Sequence, residues 1–307
     1  MTQEQYFKNL NRPEGKVDVI LDTDTYNEID DQFAIAYMLG HSDKFNVKAI
    51  TAAPFFNQKS TSPEDGMEKS YNEILKVLDL MGRHDLDEVV FRGSREYLPD
   101  EKTAVDSPAA DYMASLANEY TPENPLYILG IGAITNVASA ILKNPKMTEN
   151  CVIVWLGGSS FDMPRFANEF NMVQDIAAAR VLCNSKAPLV LIPAWGVTDH
   201  LTTTKYELEH WLRDKNDICT YLLENTINEA ESYASGKPWS RVIWDIAVVA
   251  WFVNEGNSMM QDRLVHSPVP QYDMYASKDE RRHLIKYAWY INRDKIFEDL
   301  FNTLYKL

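Results

Sequence analysis

Five acidic residues lie within ten positions near the start of the chain, in the run Asp22-Thr23-Asp24-Thr25-Tyr26-Asn27-Glu28-Ile29-Asp30-Asp31. Carboxylates at this density repel one another unless they share a cation. Their hard oxygen atoms suit Ca²⁺ or Mg²⁺. The run therefore predicts a site for a divalent metal ion. The alternative is that Asp30 and Asp31 only stabilise the start of a helix through its dipole.

The elements on either side of the acidic run indicate how it is positioned. Residues 17–21 precede it and have the β-branched, apolar character of a strand, while the apolar residues 32–39 predict a helix that ends at Gly40. In open α/β sheets, ligands bind beyond the carboxyl ends of the strands. We therefore expect the acids to lie at such an edge.

Short β-branched segments alternate with helical patterns along the chain. The predicted strands cover residues 17–21, 46–53, 89–92, 126–129, 152–156 and 189–192, and the predicted helices cover 32–39, 67–81, 108–119, 135–143, 175–182, 206–234 and 242–252. This alternation predicts an α/β fold with an open, mostly parallel sheet and helices on both faces. Beyond Pro193 the pattern becomes mainly helical, which predicts C-terminal helical additions. Because no linker or repeat divides the sequence, residues 1–307 are predicted to form a single domain.

The charge balance limits the kinds of partner. The 307 residues include 30 Lys and Arg against 45 Asp and Glu, a formal charge of −15. Such a surface repels phosphate backbones and anionic lipids, so we expect neither nucleic acid nor a membrane as a partner. No apolar run reaches membrane-spanning length. Three widely separated cysteines favour free thiols in a reducing compartment, and we expect a cytoplasmic location.

Four further motifs follow the acidic run, each of them close to the end of a predicted strand or the start of a predicted helix. They are Gly132-Ala133-Ile134-Thr135-Asn136, Gly157-Gly158, Glu169-Phe170-Asn171 and Trp244-Asp245. In this order and spacing, over nearly the whole chain, the five features resemble the inosine-uridine type of nucleoside hydrolase. The resemblance implies a hydrolase that breaks the N-glycosidic bond of a small-molecule ribonucleoside with water, releasing free base and ribose.

The resemblance also implies roles for individual residues. A Ca²⁺ ion would be held by Asp24, Asp31, Asp245 and the backbone carbonyl of Ile131, and Asp24 would also act as the general base. The ribose would be bound by Asp30, Asn57, Glu169 and Asn171, and the protein would form a homodimer or homotetramer. Simpler alternatives remain open: Asn57 as a turn residue, Glu169 and Asn171 as a helix cap, and Asp245 as an acid at a helix start.

Two departures from the family pattern affect the expected chemistry. Five residues separate Asp24 from Asp30, where the common form has three, so residues 26–28 include a two-residue expansion. Trp244 occupies the position at which many relatives carry a histidine that protonates the leaving base. Trp244 is similar to the tryptophan of purine-specific members, in which stacking activates the base. We expect the second aromatic wall among Phe55, Phe56, Tyr26, Tyr221, Tyr233 and Trp239. The alternative role of Trp244 is core packing.

Two other classes of function fit part of the sequence. Asp22-Thr23-Asp24-Thr25 after an apolar strand also matches the DxDxT pattern of phosphatases, in which the first aspartate attacks phosphate and Mg²⁺ assists. The nucleoside hydrolase interpretation instead makes Asp22 a residue that supports the site from behind. The missing histidine and the expanded loop also fit a nucleoside-binding protein without catalytic activity.

Overall fold

The computed structural model describes residues 1–163 and 165–307. Its helices are α1 Gln3–Asn9, α2 Asp31–Gly40, α3 Pro63–Leu80, α4 Pro108–Leu116, α5 Thr135–Lys143, α6 Met147–Asn150, α7 Phe170–Gln174, α8 Ile176–Asn184, α9 Lys205–Leu212, α10 Asp217–Ala234, α11 Ile246–Val253 and α12 Arg293–Leu304. Its strands are β1 Val17–Thr23, β2 Phe45–Ala52, β3 Val90–Arg92, β4 Leu126–Gly130, β5 Cys151–Leu156, β6 Leu189–Ile192, β7 Thr202–Thr203, β8 Arg241–Val242, β9 Met260–His266, β10 Val269–Pro270, β11 Ala276–Ser277 and β12 Leu284–Ile291.

Within these described residues, the main sheet has eight strands in the order β3-β2-β1-β4-β5-β6-β12-β9. Neighbouring strands are parallel except for β9, which pairs antiparallel with β12 at one edge. From β1 the chain proceeds to β2 and β3 on one side of the sheet and then returns to β4 on the other. The boundary between β1 and β4 is thus a topological switch point, where open α/β sheets bind ligands.

The sheet is covered on both faces because its strands are apolar on both faces. In β1, Val19 and Leu21 pack into one core with residues of α2, α11 and α12, whereas Ile20 packs into a second core with residues of α4, α5 and α8. Successive side chains of a strand point to opposite faces, which explains this division. The predicted α/β class with helices on both faces is confirmed.

Side chains that cap helix ends explain several element boundaries. Ser62 precedes α3, and its Oγ accepts a hydrogen bond from the backbone N–H of Asp65 at 3.1 Å, with Pro63 as the first helical residue. Ser107 and Pro108 begin α4 in the same way. A hydroxyl acceptor followed by proline is a favourable helix start because it satisfies an otherwise unpaired N–H.

The prediction was wrong at the C-terminal end of the sheet, where β9 and β12 were missed. The sequence of β9 is Met-Gln-Asp-Arg-Leu-Val-His, and most of its residues are exposed or half-buried because it is an edge strand. Its polar composition therefore hides the strand pattern. The predicted helix over 206–234 is two helices, α9 and α10, separated by a break in which Asp214 has a φ of 58°. The predicted helix over 242–252 begins later, at Ile246, because Val242 pairs in β8.

Among the described residues, no helix combines the length and the apolar composition needed to span a bilayer. Cys151, Cys183 and Cys219 are buried free thiols.

Candidate active site

A pocket opens at the carboxyl edge of the sheet, beyond the ends of β1, β4, β5 and β6. Its volume is about 550 Å³, including the part open to solvent, which is within the range of small-molecule sites. Acidic side chains dominate its polar lining, and no lysine or arginine is among the described residues that line it. The lining residues are Asp24, Asn27, Glu28, Asp30, Asp31, Ile131, Leu156, Glu169, Phe170, Asn171, Ala194, Trp195, Trp244 and Asp245.

Three of the acids form a tight group, although they come from distant parts of the chain. Carboxylate oxygens of Asp30, Asp31 and Asp245 lie within 4.8 Å of one another, and all three side chains are buried. Asp30 precedes α2 and Asp245 precedes α11, yet neither carboxylate makes a capping hydrogen bond to its own helix. A capping hydrogen bond therefore does not account for either acid, although both lie at helix starts, where the helix dipole favours a negative charge.

Asp24 lies in the same pocket but outside this trio. It is 1% exposed, and its Oδ2 is buried with no hydrogen-bond partner among the described residues. Gly132 gives the carboxylate room, because a Cβ at that position would lie 3.1 Å from both Cγ and Oδ1 of Asp24. A buried carboxylate oxygen without a partner is costly, which makes Asp24 Oδ2 a natural acceptor for a ligand.

The electrostatics of the group favour binding of a cation. Burial, together with the neighbouring carboxylates, raises the pKa of Asp24, Asp30 and Asp245 well above the ordinary value, and burial raises the pKa of Asp31 to about 6. Each shift reflects the cost of keeping several negative charges together in a low-dielectric site. A divalent cation would offset that cost, and an all-oxygen donor set fits one. The cluster can therefore bind a metal ion.

Asp22 does not reach the pocket. Its side chain is fully buried behind the site, where Oδ1 accepts hydrogen bonds from Thr51 Oγ1 at 2.6 Å and from Asn136 Nδ2 at 2.8 Å. Burial raises the pKa of Asp22 to about 6. An aspartate in this position supports the end of β1. The phosphatase alternative requires this aspartate to face a phosphate group in the pocket, and it does not.

Glu169 lines the pocket and also caps α7. Its carboxylate accepts backbone hydrogen bonds from Gly158 at 2.7 Å, Asn171 at 2.9 Å and Met172 at 3.1 Å. Burial raises the pKa of Glu169 to about 7, although these N–H donors oppose the increase. The capping role considered from the sequence is therefore real, and it holds Glu169 rigidly at the pocket wall.

Asn171 orients the backbone that follows β4 and β5. Its Nδ2 donates to the carbonyl of Ile131 at 3.1 Å and to the carbonyl of Leu156 at 3.0 Å. The Ile131 carbonyl, predicted to be a metal ligand, is thus oriented by a residue predicted to bind ribose. A carbonyl oxygen has two lone pairs, so this hydrogen bond leaves one available.

Asn57 was predicted to contact ribose, but it is not among the residues that line the pocket. Its Nδ2 donates to Oδ1 of Asn27 at 2.6 Å, and its Oδ1 accepts from the backbone N–H of Lys59 at 2.8 Å. Asn27, within the expanded loop, lies between Asn57 and the pocket. Asn27, from the expanded loop, therefore lines the pocket in the region where Asn57 was expected.

The expanded loop is also anchored by charge. Glu28, at the pocket rim, pairs with Arg241 of β8, whose Nη1 donates to the hydroxyl of Tyr233 at 2.8 Å. Arg241 also lies near Glu229 of α10. These contacts connect the loop to the helical additions.

Two tryptophans form the aromatic part of the pocket wall. Trp244 is half-buried, and its ring centroid lies 6.2 Å from that of Trp195, with the ring planes 59° apart. Trp195 is 45% exposed and follows β6. None of the six residues expected to form the second wall is among the described lining residues. Sequence reasoning missed Trp195, although its position just after a strand was a usable signal.

Comparisons with known proteins agree on the kind of protein this chain is similar to. The family model described as "Inosine-uridine preferring nucleoside hydrolase" matches residues 19–297. No curated protein sequence matches the chain.

Solved structures show the same fold at low sequence identity. A plant nucleoside hydrolase, PpNRh1, is 19% identical with a TM-score of 0.75, over 95% of this chain and 99% of its own. A purine-preferring ribonucleoside hydrolase from Gardnerella vaginalis is 19% identical with a TM-score of 0.70, over 94% and 98%. An inosine-guanosine nucleoside hydrolase is 18% identical with a TM-score of 0.71, over 94% and 98%.

Proposed function

Because the chain belongs to the inosine-uridine preferring nucleoside hydrolase family, we propose that it hydrolyses ribonucleosides to free base and ribose, and that it cleaves purine nucleosides faster than pyrimidine nucleosides. One observation carries the proposal: a single pocket contains a group of buried carboxylates together with Trp195 and Trp244. The carboxylates suit a metal ion and a sugar, and the indole rings suit a flat base.

The metal ion of this proposal is Ca²⁺, held by Asp24, Asp31, Asp245 and the carbonyl of Ile131. The support is the all-oxygen donor set, the unpartnered Oδ2 of Asp24, and the closeness of Asp31 to Asp245. When bound, such a cation lowers the pKa of a coordinated water and orients sugar hydroxyls. Asp30 belongs to the same acidic group, but its Oδ2 also accepts the backbone N–H of Asp245 at 3.3 Å, and we assign it to the sugar.

The remaining catalytic and binding roles belong to side chains of the protein. Asp24 Oδ2 accepts the proton of the attacking water, since it is a buried acceptor with no hydrogen-bond partner in residues 1–163 and 165–307. Asp30, Glu169 and Asn171 hold the ribose, because rigid acceptors positioned around the sugar favour the geometry in which the bond breaks. Asn57 contributes through Asn27.

The leaving base is assisted by the tryptophans. The indole N–H donates hydrogen bonds but does not release its proton at neutral pH, so Trp244 cannot act as a general acid. The tilt between the two rings makes a corner, in which a planar base that stacks on one ring meets the edge of the other. Stacking favours large bases, and purine ring nitrogens accept a proton from solvent more readily than pyrimidine bases do.

The test is release of free base from a panel of nucleosides. Inosine, guanosine or adenosine is expected to be cleaved with higher kcat/KM than uridine or cytidine. Trp244→Ala and Trp195→Ala are expected to reduce kcat/KM for purines by about tenfold to a hundredfold, the usual contribution of stacking on one base. Trp289→Ala is the matched control, because Trp289 is also 45% exposed but lies outside the pocket.

Equal hydrolysis of uridine and inosine, with both variants affecting the two substrates alike, would contradict the role of the tryptophans. Binding of nucleosides without release of base from any of them would instead favour the binding-protein alternative. Trapping of a phosphorylated enzyme with a phosphate ester would favour the phosphatase alternative.

A further inference from the structure

The expanded loop supplies a hydrogen-bond donor to the pocket. Asn27 lines the pocket and is 7% exposed, and its backbone N–H donates to the carbonyl of Asp24 at 2.7 Å. This turn fixes Asn27 beside the proposed general base. Asn27 does not have a positive φ, so no left-handed backbone conformation explains an asparagine at this position.

The direction of the Asn27 amide follows from its neighbours. The backbone N–H of Lys59 can only donate, so the atom of Asn57 that receives it, at 2.8 Å, must be Oδ1. The opposite end of the Asn57 amide is then Nδ2, a donor, which contacts Asn27 at 2.6 Å. The Asn27 atom at this contact must be its acceptor, Oδ1. Its Nδ2 therefore lies on the side away from Asn57.

Apart from the indole N–H groups of Trp195 and Trp244, few other side chains of the pocket can donate a hydrogen bond. The carboxylates of Asp24, Glu28, Asp30, Asp31, Glu169 and Asp245 accept hydrogen bonds when ionised. Asn171 already uses its Nδ2 on two backbone carbonyls. Among the described residues, none accepts a hydrogen bond from Nδ2 of Asn27, so this amide has a free donor.

From this geometry, and resting on the proposed function, we infer that Asn27 donates a hydrogen bond from Nδ2 to one hydroxyl oxygen of the ribose and that Asn57 is the positioning residue that sets its orientation. A sugar hydroxyl suits the site because it donates its proton to a carboxylate while it accepts from the amide. Asn27 thereby makes the enzyme selective for sugars that carry this hydroxyl.

The inference is tested by pairing side-chain changes with substrate changes. Asn27→Asp and Asn27→Ala both remove the donor, and only the first adds charge, so agreement between them excludes a charge effect. Each is expected to reduce kcat/KM for inosine by about tenfold to a hundredfold, the usual effect of a lost hydrogen bond in a buried site. One of 2′-deoxy-, 3′-deoxy- and 5′-deoxyinosine lacks the hydroxyl that accepts from Asn27. With that analogue each Asn27 variant is expected to reduce kcat/KM by about threefold or less, because the hydrogen bond is already absent.

Asn57→Asp tests the positioning role. A carboxylate at position 57 still accepts from Lys59 but has no donor for Asn27, so the Asn27 amide turns around and directs its oxygen into the pocket. The same selective loss on inosine is expected, and Asn27→Ala with Asn57→Asp together is expected to cost no more than Asn27→Ala alone. Asn72→Asp is the control, because Asn72 is exposed and donates only to the carbonyl of Glu68 within its own helix.

Equal losses on inosine and on all three deoxy analogues, or no loss in either Asn27 variant, would overturn the inference. Wild-type protein that released no base from any nucleoside would instead contradict the proposed function. In that case calorimetric binding of inosine and its deoxy analogues decides the inference: a selective loss of inosine affinity in Asn27→Asp supports it, and unchanged relative affinities overturn it.

Discussion

Asp24→Asn is expected to lower kcat for inosine by about a thousandfold or more, because it removes both a general base and a proposed metal ligand. The amide is nearly the same size as the carboxylate, so the fold should remain. Without metal, the variant should be at least as stable as the wild type, since burial with Asp30 and Asp31 is costly for the ionised Asp24. Steady-state kinetics and thermal unfolding in chelator measure the two effects.

Asp22→Asn is the comparison for this result. Asp22 lies behind the pocket, and an asparagine can still accept the hydrogen bonds of Thr51 and Asn136 through Oδ1. We therefore expect a much smaller loss of kcat than at Asp24. If Asp22→Asn abolished turnover while Asp24→Asn retained it, the base would be misassigned.

The sequence predicted the part of the fold that depends on local pattern. Apolar β-branched segments with capped helices between them identify the strands from β1 to β6, because both faces of a parallel sheet are buried. The last two strands of the main sheet were missed, and for β9 the structure gives the reason. Strand β9 lies at an edge and is mostly solvated, so its residues carry no continuous apolar signal. Its pairing with β12 is decided by contacts between distant segments.

The candidate site depends partly on the ends of strands, which sequence patterns identify, and partly on loops, which they do not. Asp24 and Ile131 directly follow β1 and β4, Asp31 is the first residue of α2, and the structure brings all three to one pocket with the distant Asp245. Asn57 was assigned to the ribose because its position after β2 is a family position, but the expansion at residues 26–28 inserts Asn27 before it. Loop length, which sequence motifs leave open, decides which side chain reaches the ligand.

The aromatic wall illustrates the same principle. Trp244 was identified because it precedes Asp245 at the position where many relatives carry a histidine, whereas Trp195 lies in none of the five motifs and was overlooked among seven tryptophans. Only the packing of the segment after β6 against the start of α11 brings the two rings together. The single-domain organisation, assembly into dimers or tetramers, and cytoplasmic location stay predictions.

Removal of the metal ion is expected to abolish hydrolysis and to lower the melting temperature. The structure contains buried carboxylates whose mutual repulsion opposes folding unless a cation is shared. At a free Ca²⁺ concentration of about 100 times Kd, binding would add about 2.7 kcal/mol to the free energy of unfolding. For a chain of this size that corresponds to an increase of about 5 °C in the melting temperature. Thermal unfolding in chelator and after addition of Ca²⁺ or Mg²⁺ measures the effect and its ion preference.

Single substitutions identify the ligands within the acidic group. Asp31→Asn and Asp245→Asn should each eliminate most of the stabilisation by Ca²⁺, since both remove a carboxylate proposed to hold the ion. Asp30→Asn should retain that stabilisation and weaken the binding of nucleosides instead, because Asp30 is assigned to the sugar. The opposite pattern, with Ca²⁺ stabilisation lost in Asp30→Asn, would make Asp30 the ligand, as its closeness to Asp31 and Asp245 allows. An unchanged melting temperature in chelator would remove the metal ion from the proposal altogether, and the buried carboxylates would then have to be protonated to coexist in the folded protein.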